Sequence, residues 1–307
     1  MTRLGLRPYG HGDEPAPESV PVTVVVLTLN EAVNIGRCLD SVRWAGQVVV
    51  VDSGSTDDTV ALAEAWGAEV VVAPWRGYGA QREWALRVPG LRHDWVYFVD
   101  ADEFVSSRLA AEIAQVLAAP RHQAYAQRFR LVFQGRWIRH CGWYQGSWIV
   151  RLVNSKHCWF GDDAVGERAQ VSGSVGRMRE DLVDNDLKGL SAWLRKHVGY
   201  AELEATRRRR RPPPAARWKA IRSARPGTGQ PLLRTIAKEL VFPFVPGRAA
   251  ALFGYMYLLR GGFLDGRQGL LFCFYHSWLQ TTVTALGRED VHAGPRQPVA
   301  TPGGSRR

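Results

Sequence analysis

Asp100 and Asp102, with Glu103 beside them, close the stretch Trp95 to Glu103, which reads WVYFVDADE. Val96 to Val99 are apolar β-formers and read as a buried strand. In extended backbone, residues i and i+2 project from the same side of the chain, so the two aspartates share one side. Acids packed that closely repel unless a cation lies between them. Oxygen-only ligands favour Mg2+ or Mn2+, which commonly bridge to substrate phosphates. A solvated loop running into a helix is the competing reading, and the chain before this stretch decides between them.

Two earlier stretches end in the same way. Val22 to Leu29 is apolar and β-branched, as a central parallel strand would be, and runs into Thr28, Leu29, Asn30 and Glu31. Asn30 suits a helix N-cap, with Ile35, Leu39 and Val42 then on one helical face. Val48 to Val51 reads as a second strand ending in Asp52, followed by the small, hydroxylated SGSTDDT, with Ser55 or Thr56 capping a helix through Ala65. Val70 to Val72 is a third strand and Gly77 to Leu86 a helix. Strands alternating with helices across short loops predict an α/β fold with a largely parallel sheet. Ligands of such sheets bind beyond the carboxyl ends of the strands, where Asn30, Asp52 and Asp102 all lie. Further on, a helix runs from Ser106 to the break at Pro120, Tyr125 to Phe133 alternates like one antiparallel strand, and 148–153 is another strand. Gly189 to Ala205 reads as an amphipathic helix with Leu190, Trp193, Leu194, Val198 and Leu203 on its apolar face.

TLNEAVNI (28–35), VVVDSGSTDDT (49–59) and FVDADE (98–103), in that order and spacing, resemble family 2 glycosyltransferases of the GT-A fold. The likeness covers roughly residues 20–205 and is most similar to the bacterial envelope branch, which adds sugars to lipopolysaccharide core or lipid-linked glycans. It implies a nucleotide-diphosphate sugar donor and a divalent metal, Mg2+ or Mn2+. By the resemblance, Thr28, Asn30 and Glu31 line the nucleoside pocket and Asp52 accepts a hydrogen bond from the base, with Ser53 and Ser55 near it. Asp100 faces the ribose, Asp102 holds the metal on the pyrophosphate, and Arg82 touches a phosphate. At the next position, where the family usually has Asn, this chain has Glu83. The resemblance also implies inversion by direct displacement, with a carboxylate base in a segment similar to FxxxxVHE, here Phe160 to Glu167. Glu167 takes the acid position, Gly166 replaces the usual His, and Asp163 and Asp162 are the alternatives. Trp143 and Tyr144 are read as core residues ahead of a sugar-stacking floor.

The formal charge of +11 is unevenly placed: nine Lys or Arg and no acid lie between Arg207 and Arg225, leaving about +2 for the remainder. That reads as a docking patch, and anionic membrane lipid is the expected target. Leu240 to Leu259 and Gly269 to Leu279 are apolar but broken by Pro243, Pro246 and Arg248 or too short to span a bilayer, which suits interfacial helices. Cys38, Cys141, Cys158 and Cys273 form no CxxC pair, which argues for a reducing compartment and against a zinc site. The polar start of the chain has no signal-peptide core, so the expected location is cytoplasmic, on the inner face of the cytoplasmic membrane. The expected organisation is a lead-in over 1–20, a GT-A catalytic domain over 21–205, a basic linker over 206–231, a membrane-associating helical segment over 232–290 and a tail over 291–307. The expected partners are the sugar donor, a lipid-linked glycan acceptor and the membrane surface, with no specific nucleic acid. The rival reading is a nucleic-acid- or membrane-binding scaffold with a degenerate glycosyltransferase fold. A nucleotidyltransferase is disfavoured because Thr28 to Glu31 stand where its Gly-rich loop belongs.

Overall fold

The computed structural model describes residues 19–142, 144, 148–161, 169–209 and 247–289. They divide into two compact units, one drawn from 1–139 and 143–189, the other from 140–142 and 190–307. The strands are β1 (Val20–Thr28), β2 (Ala45–Asp52), β3 (Glu69–Val72), β4 (Trp95–Asp100), β5 (Glu103–Phe104), β6 (Ala124–Gln127) and β7 (Phe129–Phe133). They continue with β8 (Arg136–Trp137), β9 (Ile149–Asn154), β10 (Cys158–Phe160), β11 (Ala169–Val171), β12 (Val175–Arg177) and β13 (Leu182–Asp184). The helices are α1 (Ile35–Asp40), α2 (Thr59–Trp66), α3 (Tyr78–Leu86), α4 (Ser107–Ala118), α5 (Gly189–Arg209), α6 (Arg248–Gly254) and α7 (Gly266–Arg288).

A seven-stranded sheet of order β12-β6-β9-β4-β1-β2-β3 forms the first unit, and β1 is its hub. β1 runs parallel to β2 on one flank and to β4 on the other, and β3 extends the parallel part beyond β2. Beyond β4 the sheet turns antiparallel through β9. Alternation along β1 sends Val24 and Val26 to one face, with Leu39 of α1 and Leu109 and Ile113 of α4, while Val25 faces the other with Phe98 and with Ala85 and Leu86 of α3. Helices thus cover both faces of a sheet whose central strands are apolar on both sides, as the sequence pattern requires.

The segment Tyr125 to Phe133 differs from expectation: it is not one strand. β6 joins the large sheet between β9 and β12, and β7 leaves it to pair with β13 and β8. All four residues of β6 are buried, so its alternation does not mark a solvated face. Asn30 does not cap α1. The N-cap position falls to Asn34, and Asn30 takes a left-handed conformation (φ 55°) in the loop before it. α2 begins after Asp58, later than Ser55 or Thr56, and ends at Gly67, whose φ of 96° suits glycine.

In the second unit α6 packs on α7. Ala201 and Ala205 are the buried residues of α5, set against Val283 of α7 with Leu279 and Leu286 beside it. This corrects part of the expected apolar face: Val198 and Leu203 are exposed, while Trp193 is half-buried and tilts against Tyr275 and His276 of α7. The start of α7 is tightly wound: a Cβ on Gly269 would lie 2.1 Å from the Gly262 carbonyl oxygen. Asp265, buried in that turn, accepts hydrogen bonds from the His140 backbone N–H at 2.8 Å and pairs with its ring Nδ1 at 2.8 Å. All four cysteines are free and buried.

Phe98 is fully buried and meets Phe160 edge-on at 5.3 Å. Phe98→Ala should cost about 3–5 kcal/mol in a denaturant titration, by lost transfer energy and an unfilled cavity. Ser106 caps α4 through Leu109 N–H, so Ser106→Ala should cost only about 1 kcal/mol.

Candidate active site

The register of the parallel strands places the polar strand endings together. Thr28 stands beside Asp52 across the β1–β2 pair, and Leu27 stands beside Asp100 across the β1–β4 pair. Asp52 and Asp100 therefore flank the end of β1 on its two sides, and Asp102 lies two residues beyond Asp100. Thr28 is buried, and its Oγ1 has no hydrogen-bond partner among the described residues.

The loops after β1 and β2 are stitched into one surface. Asn30 N–H donates to Ser55 Oγ at 2.8 Å, Glu31 N–H to Thr59 Oγ1 at 2.8 Å, and Thr56 N–H to Asn30 Oδ1 at 2.8 Å. Ser53 N–H closes the edge on the Thr28 carbonyl at 2.9 Å. Asp52, 1% exposed, holds the second loop from within: its Oδ2 accepts from the N–H groups of Gly54 (2.9 Å) and Ser55 (2.8 Å), and its Oδ1 from Ser55 Oγ. Asp52 thus accepts three hydrogen bonds from its own turn.

The acids after β4 are held by two buried arginines. Arg82 of α3 donates to both Asp100 oxygens, at 2.9 and 3.2 Å. Arg151 of β9 donates to Asp100 Oδ2 at 3.0 Å and to Glu103 Oε1 at 2.7 Å. Glu103 Oε2 in turn accepts from the Asp100 N–H at 2.7 Å and closes the turn. Burial pushes the Glu103 carboxyl well above the usual range, with Asp100 and Asp102 adding to the rise and Arg151 opposing it. Arg82, with its side chain 3% exposed, fixes Asp100. The Asp102 backbone carbonyl accepts from Asn185 N–H at 3.0 Å and from Arg37 at 3.4 Å, which ties the turn to the end of β13.

The segment after β13 returns to the first loop. Lys188 Nζ reaches Glu31 Oε1 at 2.5 Å and the Asn30 carbonyl at 3.4 Å. Asn34 Nδ2 bridges Glu31 (2.7 Å) and Asp186 (2.9 Å). Burial raises the Glu31 carboxyl above its ordinary value, and Asn34 opposes that rise; Asp102 adds to it and Lys188 offsets it. Lys188, Asn34, Arg37 and Arg151 are site residues that sequence reasoning missed. Asp186 and Lys188 form a polar run after an apolar strand, a signal of the same kind as the one read at Asp52, but Leu182 to Asp184 is too short to stand out as a strand.

Of the expected residues, Thr28, Asn30, Glu31, Asp52, Ser53, Ser55, Arg82, Asp100 and Asp102 gather at this end of the sheet, whereas Glu167, Asp163, Asp162 and Trp143 lie outside the described residues. Phe160 and Gly161 lead to that segment. Glu83 holds the end of β10, accepting from Phe160 N–H at 2.7 Å while pairing with Arg87 at 3.2 Å. Tyr144 donates its hydroxyl to the buried Asp181 at 2.8 Å and packs edge-on against Trp137.

No group of three His, Cys, Asp or Glu among the described residues makes a metal site by itself. Mg2+ or Mn2+ bound through one or two carboxylates, water and substrate phosphate needs no such cluster.

Residues 23–159 match the family model described as Glycosyl transferase family 2. Relatives include an uncharacterized glycosyltransferase of Rickettsia bellii (strain RML369-C), 40% identical over 117 residues, which are 38% of this chain and 39% of that protein. Another is the lipopolysaccharide core biosynthesis glycosyltransferase LpsC of Rhizobium meliloti (strain 1021), 34% identical over 105 residues, 33% of this chain and 38% of that protein. The match thus spans about two-fifths of these relatives' length. Among solved structures, glucosyl-3-phosphoglycerate synthase from Mycobacterium tuberculosis, in complex with Mn2+, uridine-diphosphate and glucosyl-3-phosphoglycerate, is 28% identical with a TM-score of 0.32, over 36% of this chain and 44% of that one.

Arg151→Met removes the partner of a buried acid. Glu103 already carries a raised pKa, so it binds a proton more readily folded than unfolded, and stability falls as pH rises from the unfolded pKa toward the folded one. Without Arg151 that loss deepens. Urea titrations should show a destabilisation of about 3–5 kcal/mol at pH 8 that shrinks as the pH is lowered and Glu103 takes up a proton. A loss that does not change with pH would mean the carboxylate is not what Arg151 holds.

Proposed function

We propose that this chain, whose residues 23–159 match the Glycosyl transferase family 2 model, is an α/β enzyme of GT-A type that moves a sugar from a nucleotide-diphosphate donor to a lipid-linked or cell-envelope glycan, with inversion by direct displacement. The observation that carries this reading is the register that sets Asp52 and Asp100 on either side of the end of β1, where open α/β sheets bind ligands. The orphan hydroxyl of Thr28 at the same edge supports it, since buried polar groups are nearly always satisfied.

Each residue then has a task. Thr28, Asn30 and Glu31 form one wall of the nucleoside pocket, and Asp52 with Ser53 and Ser55 forms the other. Asp52 accepts a hydrogen bond from the base. Asp100, fixed by Arg82 and Arg151, presents its edge to the ribose. Asp102 holds Mg2+ or Mn2+ against the diphosphate, and when bound the metal neutralises charge on the leaving nucleotide. Glu167, or Asp163, takes the proton of the acceptor hydroxyl.

The acceptor side rests on the second unit. Among the described residues no helix is long and apolar enough to cross a membrane. Yet Leu258, Leu259, Phe263, Leu264 and Phe274 are exposed, Leu259 to 80%. Arg260 and Arg267 lie among them, and the acid of that turn, Asp265, is buried. Exposed apolar side chains with cations between them suit the interface of an anionic bilayer, on the cytoplasmic face of the membrane.

Thermal-shift screening of UDP-, GDP- and dTDP-sugars with Mn2+ or Mg2+ tests the donor site. One donor should raise Tm in a metal-dependent way. Asp102→Ala should abolish the metal dependence, and Glu167→Gln should keep donor stabilisation while transfer falls by roughly 10²–10⁴-fold. If no nucleotide sugar stabilises the protein under any metal, the reading is wrong. Leu259→Glu should weaken co-sedimentation with anionic vesicles; unchanged binding would remove the membrane from the account.

A further inference from the structure

The second unit holds a cavity of ≈ 240 Å³ whose lining includes Arg208, Arg209, Arg248 and Arg288 over a floor of Ala205 and Val283, with no acid among the described lining residues. That volume is below the ~300–1,000 Å³ of typical small-molecule sites and suits a small ligand group, not a sugar nucleotide. Four guanidinium groups around so small a space repel one another unless something negative sits between them.

Ordinary structural roles explain only part of the cluster. Arg209 hydrogen-bonds the Leu286 carbonyl and, at 3.3 Å, the Glu289 carbonyl, so it satisfies the end of α7. Arg288, exposed in the last turn of α7, offsets the helix dipole there. Arg208 gives its Nε to Glu204 at 2.8 Å and an Nη2 hydrogen to Gln280 at 3.3 Å, yet its Nη1 is buried with no partner among the described residues. Arg248 opens α6, where a helix end offers a cation nothing, and contacts Thr284 Oγ1. Burial pushes the Arg248 guanidinium down from its usual value, and the charges of Arg208 and Arg288 push it further. Among the described residues, Glu204 pairs with Arg208 at 2.8 Å and is shared with Arg207 at 3.9 Å.

We propose that this cavity binds a phosphate group, as a monoester or diester, held by Arg208, Arg248 and Arg288. Guanidinium forks match phosphate oxygens with paired N–H donors, and an anion here would satisfy the Arg208 Nη1 donor and relieve the repulsion together. The phosphate can be carried by a lipid headgroup or by a soluble compound. The site lies wholly in the second unit and stands or falls independently of the sugar donor.

The test uses the full-length protein with two probes: inorganic phosphate, against potassium chloride of equal ionic strength, and phosphatidylcholine vesicles with and without phosphatidic acid. The wild type should gain Tm with phosphate, or bind phosphatidic acid vesicles over neutral ones, or both. Phosphate stabilisation without vesicle preference assigns a soluble ligand; vesicle preference assigns a headgroup. R248Q/R288Q should weaken whichever response is seen by roughly thirtyfold and R288Q alone by roughly fivefold. R248K/R288K should recover part of it. R288Q alters an exposed residue and serves if the double variant does not fold. Donor-induced stabilisation, measured in parallel, should be unchanged. A wild type indifferent to both probes, or variants that respond as the wild type does, would overturn the proposal.

Discussion

Negative charge concentrated at the carboxyl end of β1 is the constraint around which the first unit is built. Asp52, Asp100, Asp102 and Glu103 converge there, with Glu31 close enough for Asp102 to raise its pKa. Two unit charges about 4 Å apart repel by about 4 kcal/mol at the effective dielectric of a protein edge, a large share of a domain's net stability. The fold meets this with cations from elements distant in sequence. Arg82 comes from α3, Arg151 from β9, and Lys188 from the segment after β13. Each acid so paired is fixed in position, and the site is preorganised as a consequence of making it foldable.

The pairing is selective, and the selectivity assigns roles. Asp100 and Glu103 are clasped by guanidinium groups, and Asp52 turns its oxygens into its own loop. What holds these acids rigid also removes them as general metal ligands. The Asp102 backbone carbonyl anchors the turn just past the end of β4, accepting from Asn185 N–H and from Arg37. The same logic explains Glu83. At that position its carboxylate ties α3 to β10 through the Phe160 N–H.

The parallel half of the sheet was legible in the sequence because fully buried strands leave uninterrupted apolar runs, and the acids that end them stand out by contrast. β1, β2 and β4 and the gathering of their endings follow from that. The antiparallel half was harder. Tyr125 to Phe133 alternates cleanly yet serves two sheets, since its alternation comes from packing on different partners and not from one solvated face. Long-range ion pairs left no local trace: nothing near Arg151 or Lys188 in the chain points to Asp100 or Glu31. Asn30 was misjudged as a cap because its left-handed backbone turns the side chain toward the neighbouring loop. In α5 the helical period pointed to large apolar residues; Trp193 does meet α7, but the close approach farther along uses Ala201 and Ala205.

Anomalous scattering from Mn2+ in crystals grown with a nucleoside diphosphate measures the central claim most directly. The account predicts one peak within about 2.0–2.2 Å of an Asp102 carboxylate oxygen and of the diphosphate, beyond the ends of β1 and β4, with the nucleoside between the Asn30 and Ser55 loops. A peak away from Asp102, or a nucleotide bound elsewhere on the protein, would contradict it.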